Sequence, residues 1–405
     1  MSQPPRRILL ADADAFFVAV ARMEDPQGVG REPLLIVGGT RESRGVVCSA
    51  SYETRAYGVR SAMPIAQALR LCPAAVCVPV PRKACAQKSG EIREVLERFS
   101  PVVEPASIDE WYLDLAGTEA LYRQEPLAET ARRMREMIAR DTGLHVSFGG
   151  GTSKLVAKLA VERAKPKPDS GATGVFVVAP GAEAEFLRGI ALAEIPMIGP
   201  RFQERLARFG MRTVPDVLQY EVETLVQWLG AREAHWLYDR ARGMDAREVA
   251  PRLDAKSISR DETFPQDLAD DASLNQELLA LVTRAAADLR GEGLRARTVT
   301  VRIRDHDFRN RSASRTMEQG VMSDRVLLAQ ARHLLSRLRA GRRVPARLLG
   351  VALSGLAEDE TADQLALFEG ERDPAVETAR DRAVARAVDQ VRAKFGPRGI
   401  GPGGV

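Results

Sequence analysis

The sequence predicts a multidomain protein of the α+β class, and three observations lead to this prediction. Its 405 residues are enough for about two to four domains of ordinary size. Residues 1–170 and 254–357 alternate apolar runs with helical patterns, whereas residues 171–240 are helical in pattern. A hydrophobic fraction of 45% and a charged fraction of 28% are typical of a globular protein. We therefore expect more than one hydrophobic core.

The first predicted strand, residues 8–10, leads into two aspartates, Asp12 and Asp14. Strands of open sheets commonly deliver functional side chains at this end. Two carboxylates so close together are costly unless a cation or a helix cap uses them. We expect Asp14 to cap the helix that begins near Ala15, and Asp12 either to be exposed or to bind a cation.

A second acidic signal lies in SIDEWYLDL, residues 107–115, which reads as a strand containing adjacent Asp109 and Glu110. Acidic side chains in an apolar, β-prone strand are a local conflict that tends to mark function. If this strand pairs with the first one, Asp12, Asp109 and Glu110 form a cluster of oxygen ligands suited to Mg²⁺. The alternative is that each carboxylate is separately exposed.

Basic and phenolic side chains favour a phosphate ligand. SYETRAYGVRSAMP places Tyr52 and Arg55 on one face of a helix, where they can grip a triphosphate. KLVAKLAVERAKP adds Lys154, Lys158 and Lys165, and a positive charge near a departing pyrophosphate stabilises the charge that develops there. Ordinary surface charge is the alternative for Lys154 and Lys158. No G-x-x-x-x-G-K-[ST] motif is found, so a P-loop is excluded.

These motifs together resemble one family. DADAFFVAV, SYETRAYGVRSAMP, SIDEWYLDL and GGGTSKLVAKLAVERAKP occur in the order and spacing of the Y-family DNA polymerases, within their bacterial DNA polymerase IV branch. The resemblance implies a right-hand polymerase with a ferredoxin-like palm, small fingers, a helical thumb with a helix-hairpin-helix, and an α/β little finger. The implied bounds are palm 1–15 and 82–170, fingers 16–81, thumb 171–241, linker 242–253, little finger 254–357 and a flexible tail 358–405.

The resemblance also implies roles for individual residues. Asp12, Asp109 and the backbone carbonyl of Ala13 would bind two Mg²⁺ ions, and Glu110 would complete the site near the primer 3′-hydroxyl. Phe16 would pack under the incoming sugar, and Phe17 would be the steric gate that excludes a ribose 2′-hydroxyl. The remaining implied residues bind the triphosphate: Tyr52, Arg55 and Lys165. The sequence departs from the family at Trp111, where relatives usually carry a small residue.

Two regions are expected to contact DNA. IPMIGPRFQERLARFGMRTVPDVLQY resembles a helix-hairpin-helix with Gly199 in its turn, although a generic helical hairpin is the alternative. Between residues 295 and 347 there are 14 arginines and four acidic residues, which indicates a polyanionic partner or a solvated basic face. The expected phosphate contacts are Arg297, Arg302, Arg304 and Arg315.

The C-terminal region contains two further signals. QLALF resembles the peptide with which bacterial proteins bind the sliding clamp, and its anchors would be Gln364, Leu365, Leu367 and Phe368. Residues 376–396 have the pattern of an amphipathic helix that either docks on the body of the protein or contacts DNA.

We expect a translesion polymerase that adds dNTPs to a primer on a DNA template, at low fidelity and without proofreading. Its partners would be primer–template DNA, dNTP and the clamp; it would be a monomer in the cytoplasm, associated with the nucleoid. Four cysteines without a C-x-x-C pair make zinc unexpected, and no membrane span is predicted. The alternatives are a clamp-binding adaptor for another polymerase and a nucleotide cyclase, which would need no primer–template.

Overall fold

The computed structural model places the chain in two compact units, Met1–Leu253 and Asp254–Val405. No helix in the described part of the chain is long and apolar enough to cross a membrane. The described residues are 5–166, 171–251, 255–358, 376–396 and 400.

Unit 1 contains two sheets, one with five strands in the order β5-β6-β1-β7-β8 and one with three in the order β3-β2-β4. The five-stranded sheet forms the main core, and its central strand β1 is buried along its whole length. The strands of unit 1 are β1 Ile8–Ala13, β2 Leu35–Gly38, β3 Ser49–Ala50, β4 Val76–Pro79, β5 Val102–Pro105, β6 Glu110–Asp114, β7 Val146–Gly151 and β8 Val175–Val177.

The helices of unit 1 fall into two groups. The first group packs on the two sheets: α1 Phe16–Glu24, α2 Tyr52–Ala56, α3 Ile65–Leu71, α4 Arg82–Glu97, α5 Leu127–Thr142 and α6 Lys154–Ala164. The second group forms an all-helical core, to which α6 also contributes Leu155 and Leu159: α7 Glu183–Arg188, α8 Pro200–Ala207, α9 Val214–Leu218, α10 Val222–Leu229 and α11 Ala231–Ala241.

The glycines of β7 explain how closely α6 approaches the sheet. A Cβ at Gly149 would lie 2.2 Å from the carbonyl oxygen of Ala157 and 2.2 Å from the amide nitrogen of Val161. Only glycine therefore allows the backbone of α6 to rest directly on the strand. This close packing fixes the height of α6 above β1, the strand that pairs with β7.

We expect Gly149→Ala to destabilise unit 1 by about 3 kcal/mol, because the added methyl group meets backbone that cannot rotate away. The displaced helix should also lower any activity that depends on its lysines. Urea unfolding followed by circular dichroism measures the effect, with Gly90→Ala as the control, since a Cβ at Gly90 meets nothing within 4 Å. Equal stability of the two variants would contradict this account of the packing.

Unit 2 is one four-stranded antiparallel sheet with the strand order β11-β10-β12-β9 and two long helices on one face. Apolar side chains alternate along β10, where Val299, Val301 and Ile303 point into the core beneath the helices. The elements are β9 Ser257–Leu268, α12 Asp271–Gly291, β10 Leu294–Asp305, β11 Asn310–Val321, α13 Asp324–Gly341, β12 Ala346–Glu358 and α14 Ala379–Phe395.

The C-terminal helix α14 docks on unit 2 mainly through charged groups. Arg290 of α12 has a side chain that is 4% exposed, and it donates two hydrogen bonds to Asp389 of α14, at 2.5 and 2.8 Å. The carboxylate of Glu377 accepts the backbone N–H groups of Met322 and Ser323, at 2.8 and 2.5 Å, where α13 begins. The helical pattern of residues 376–396 is confirmed, and the helix docks on unit 2, which is one of its two predicted roles.

Arg290→Met should lower the stability of unit 2 by about 3 kcal/mol, because a buried charge network loses its central partner. Arg290 also donates to Asp324 at 2.9 Å, so the loss affects α12, α13 and α14 together. Hydrogen exchange of the α13 amides measures the change. Arg380→Met, which alters an exposed arginine of α14, is the control and should have little effect.

Candidate active site

The carboxylates singled out in the sequence meet at one end of β1. β1 and β6 pair antiparallel, which meets the condition stated for the carboxylate cluster, and Asp12 lies opposite Glu110. The backbone N–H of Ala13 donates to the carbonyl oxygen of Asp109 at 2.9 Å, which holds the residue before β6 beside the end of β1. The register therefore brings all three acidic residues together where β1 ends and β6 begins.

Asp12 is a buried carboxylate with a lysine partner. It is 6% exposed, and its Oδ2 lies 2.9 Å from Nζ of Lys165. Burial raises the pKa of Asp12 to about 7, with a further rise from the nearby Glu110, while Lys165 opposes the shift. Burial alone would lower the pKa of Lys165, but the carboxylates of Asp12 and Glu162 raise it above its usual value. The lysine thus supplies the countercharge that Asp12 needs.

Two other lysines of α6 also hold carboxylates. Lys158 donates to Glu110, the partner of Asp12 across the sheet. Lys154 is 6% exposed and donates to both oxygens of Glu104 in β5, at 2.5 and 2.7 Å. The alternative of ordinary surface charge does not hold for these two lysines: Lys154 is buried, Lys158 is partly exposed, and both bond carboxylates of the sheet.

Asp109 and Asp14 occupy different surroundings. Asp109 is partly exposed and accepts a hydrogen bond from Oγ of Ser107. The prediction that Asp14 caps the first helix is wrong: Ala15, at φ 46°, precedes α1, and no side chain caps it. Asp14 instead accepts from Oγ of Ser147 in β7 at 2.8 Å, and burial raises its pKa.

Tyr52 and Arg55 lie on one face of α2, as their spacing predicts. The guanidinium carbon of Arg55 is 5.2 Å from the centre of the Tyr52 ring, and Nε of Arg55 donates to the carbonyl of Ala50. Burial raises the pKa of Tyr52, the Asp14 carboxylate raises it further, and Arg55 and Lys165 oppose this. The influence of Asp14, Lys165 and Asp12 on the pKa of Tyr52 indicates that α2 lies beside the carboxylate end of β1.

The two phenylalanines of α1 differ in burial. Phe16 is 2% exposed and belongs to the core of the five-stranded sheet, whereas Phe17 is partly exposed. Their rings meet edge to face at 5.5 Å, so Phe16 supports Phe17 from inside. Trp111, the departure from the family pattern, is 1% exposed in the same core and lies opposite Ala11 of β1.

The carboxylate oxygens at this end of β1 are suitable ligands for a hard divalent cation. Carboxylate oxygens of Asp12 and Glu110 lie on facing strands, and their negative charge is balanced in the structure by Lys165 and Lys158. Across the described residues, no three acidic, histidine or cysteine side chains already converge as a closed metal cage. The arrangement is thus a pair of lysine-neutralised carboxylates with Asp109 beside them.

The predicted DNA contacts fall in two places. Gly199 precedes α8 with φ −75°, and a Cβ there would meet nothing within 4 Å, so this turn is open to an approaching ligand. In unit 2, Arg302 and Arg304 lie on the sheet face opposite the helices, where Arg302 pairs with Asp261 at 3.0 Å.

The other two predicted arginines are placed differently. Arg315 pairs with Val299, whose side chain is in the core, so the register turns Arg315 toward the helix side of the exposed edge strand β11. Nε of Arg297 donates to the carbonyl of Met317 at 3.4 Å, beside an irregularity in the strand pairing. The four arginines therefore do not form one surface. QLALF lies outside the described residues.

Comparison with known proteins gives consistent results along the chain. Residues 11–162 match the impB/mucB/samB family, residues 255–367 match its C-terminal domain, and residues 193–245 match the thumb domain of DNA polymerase iota. DNA polymerase IV of Halorhodospira halophila is 37% identical over 89% of this chain and 98% of its own length. DNA polymerase IV of Gluconobacter oxydans is 36% identical over 90% of this chain and 99% of its own length.

The chain belongs to the Y-family of DNA polymerases. Among solved structures, a chimeric Y-family polymerase built from Dbh and Dpo4 matches with a TM-score of 0.76 and 25% identity, over 87% of this chain and 99% of its own. The Y-family fold expected from the motifs, with a helix-hairpin-helix thumb and a C-terminal little finger, is confirmed. The activity is that of a DNA-directed DNA polymerase of the translesion type. Y-family polymerases depend on divalent metal ions.

Several features of this Y-family site were not found from the sequence. The pairing of Lys158 with Glu110 and the bond between Ser147 and Asp14 join residues 48 and 133 positions apart. The one available signal was GGG followed by a lysine-bearing helix, because a run of glycines marks a strand that another backbone approaches closely.

Proposed function

We propose that the carboxylate end of β1 adds deoxynucleotides to a primer 3′-hydroxyl with two Mg²⁺ ions. Asp12, Asp109 and the backbone carbonyl of Ala13 would bind the ions, and Glu110 would complete the site. The observation that carries this proposal is the register that sets Asp12 opposite Glu110 with Asp109 bonded to Ala13. When bound, the two ions would stabilise the attacking and leaving oxygens of an in-line displacement.

Basic and phenolic groups of this chain would bind the triphosphate. Lys165 already lies beside Asp12, and Tyr52 lies close enough to these groups for Asp14, Asp12 and Lys165 to affect its pKa. The Arg55 guanidinium offers forked donors that suit phosphate oxygens, and its Nε is held by the carbonyl of Ala50. Such fixed positive charge lowers the cost of the charge that develops on the departing pyrophosphate.

Phe17 would select deoxyribose over ribose. Its ring is partly exposed and is held from behind by Phe16, whose burial leaves it little freedom to move. Phe16 would therefore act through Phe17 rather than by lying directly under the sugar.

Primer–template DNA and the sliding clamp would be the macromolecular partners of a monomeric protein. One similar solved structure is described as an insertion ternary complex of Dbh DNA polymerase, with a TM-score of 0.60. The open turn at Gly199 and the arginine-bearing sheet face of unit 2 would contact phosphates, which positions DNA without reading its sequence. QLALF would bind an apolar groove of the clamp through Gln364, Leu365, Leu367 and Phe368.

Single-nucleotide addition on four templates that differ only in the templating base tests this function. We expect the complementary dNTP to be added preferentially in each case, with Mg²⁺ and only when the primer–template is present. Pyrophosphate release without primer–template would instead indicate a cyclase-like nucleotidyl transferase. Clamp binding without any nucleotide addition would indicate the adaptor.

A further inference from the structure

Residues 243–250 follow α11 without forming a helix or strand, yet they are packed against the sheet of unit 1. We call this segment the strap. Its Val249 is 8% exposed and shares a hydrophobic cluster with residues of β1, β6 and α6. The partners of Val249 in that cluster are Ile8, Leu10, Tyr112, Ala157 and Val161. The strap is therefore part of the core on which the carboxylate-bearing strands rest.

Asp245 is the charged centre of the strap. Its side chain is 1% exposed and lies 2.8 Å from the guanidinium groups of both Arg240 and Arg247. Burial alone would raise its pKa, but the hydrogen bonds from these two arginines hold the pKa of Asp245 well below its usual range. Nη groups of Arg6 also bind the backbone carbonyls of Asp245 and Arg247, at 2.6 and 3.1 Å.

The same carboxylate binds the beginning of α6. Oδ2 of Asp245 accepts the backbone N–H of Leu155 at 3.1 Å, one of the first-turn donors that a helix leaves unpaired. Ser153, which caps α6 through the N–H of Val156, also donates its hydroxyl to the carbonyl of Gly243 at 3.3 Å. A carboxylate at a helix N-terminus is favourable both as an acceptor and through the helix dipole.

A second contact ties the far end of the strap to the same turn of α6. The carboxylate of Glu104 accepts the backbone N–H of Ala250 at 2.9 Å and also holds Nζ of Lys154. Lys154 in turn lies 4.6 Å from the centre of the Tyr112 ring in β6. Both ends of the strap therefore converge on the first turn of α6.

The position of this turn matters for the rest of the helix. α6 has 11 residues, which corresponds to a length of about 16 Å. Lys158 is one turn beyond Lys154 and bonds Glu110, and Lys165 follows the last turn and bonds Asp12. Because the helix moves as a unit, a change at its N-terminus alters the reach of both lysines.

We propose that Asp245 is a positioning residue for nucleotide addition, which fixes the first turn of α6 so that Lys158 and Lys165 reach the carboxylate site. This inference rests on the proposed function in one respect, namely that Lys165 binds the triphosphate. Asp245 itself touches neither reacting carboxylate; it acts through the helix.

Two variants of the full-length protein test the proposal, with a matched control. Asp245→Asn keeps the shape and one acceptor for Leu155 but removes the charge, and Asp245→Ala removes the acceptor as well. Asp305→Asn is the control, because Asp305 is a fully buried aspartate held by Arg311 and Arg342 at 2.8 and 2.6 Å in unit 2. The readouts are Tm, Kd for primer–template, kcat and KM for the dNTP at saturating DNA, and hydrogen exchange of the α6 amides.

We expect Asp245→Asn to lower kcat by about tenfold or more and to raise the KM for dNTP, with an unchanged Kd for DNA. Asp245→Ala should have a larger effect, and both should speed hydrogen exchange in the first turn of α6. Asp305→Asn should lower Tm while leaving kcat and the KM for dNTP unchanged. If Asp245→Asn also lowers only Tm, the proposal is overturned and Asp245 is merely stabilising.

Lys165→Met separates this proposal from the proposed function. If Lys165→Met alone leaves the KM for dNTP unchanged, the triphosphate role of Lys165 fails, whereas the hydrogen exchange of α6 still tests the action of Asp245. In the Lys165→Met background, Asp245→Asn should raise the KM for dNTP by a smaller factor than it does alone, since both substitutions affect the contact made by Lys165. If the effects of the two substitutions on KM are fully additive, Asp245 does not act through Lys165.

Discussion

Asp109→Ala abolishes detectable primer extension, with an expected loss of about 1,000-fold in rate. Asp109 is joined to the end of β1 through its backbone carbonyl, which accepts from Ala13, so the substitution leaves the strand register unchanged. Its side chain is partly exposed and bonds only Ser107 among the contacts described, so folding should change by less than about 0.5 kcal/mol. The lost activity would therefore result from the missing carboxylate and not from unfolding of the protein. Gel analysis of extension on an undamaged template, with Mg²⁺ and all four dNTPs, measures it.

The control comes from the same motif. Asp114 is the last residue of β6, at the end of the strand far from Glu110. It pairs with Ile8 and accepts the backbone N–H of Ala116 at 2.9 Å. Asp114→Ala should extend the primer at nearly the wild-type rate. Extension that persists in Asp109→Ala would indicate a contaminating polymerase and would remove the support for Asp109 in the metal site.

Phe17→Ala should reduce the preference for dNTP over rNTP by about 100-fold, because the removed ring leaves room for the ribose 2′-hydroxyl. Most of the change should appear as faster addition of rNTP, since the deoxynucleotide needs no contact with the lost ring edge. The ratio of kcat/KM for dCTP and CTP opposite the same templating guanine measures it.

Phe176→Ala is a suitable control for this experiment. Phe176 is an exposed phenylalanine of the edge strand β8, and its ring centre lies 5.8 Å from that of Phe186. It should leave sugar selection unchanged. An unchanged preference in Phe17→Ala would show that another group excludes ribose.

The sequence predicted the parts of the site that depend on local pattern. The sequence predicted two β-prone segments that carry Asp12 and Glu110, and it predicted that these residues meet if the two strands pair. The structure supplies that pairing, and its antiparallel register buries the apolar side chains of both strands. The three-residue spacing of Tyr52 and Arg55 was likewise sufficient once α2 was a helix.

The rest depends on partners that are distant in sequence. Lys154 looks like a solvated helix residue until Glu104, 50 residues earlier, is brought beneath it. Asp14 is a good N-cap by residue type, but the hydroxyl of Ser147 holds it on β7 instead. The separation of Arg315 from Arg302 follows from strand register, which composition does not reveal.

The docking of α14 affects how the protein can be shortened. A common way to remove a peptide such as QLALF is to stop translation after the last strand, here at Glu358. Such a deletion would also take away Asp389 and Glu377, leaving Arg290 buried without that partner and the two amides just before α13 without their acceptor. Loss of clamp-dependent synthesis in the shortened protein could then arise from a weakened little finger. Point substitutions within residues 364–368 avoid this confusion and leave the helix in place.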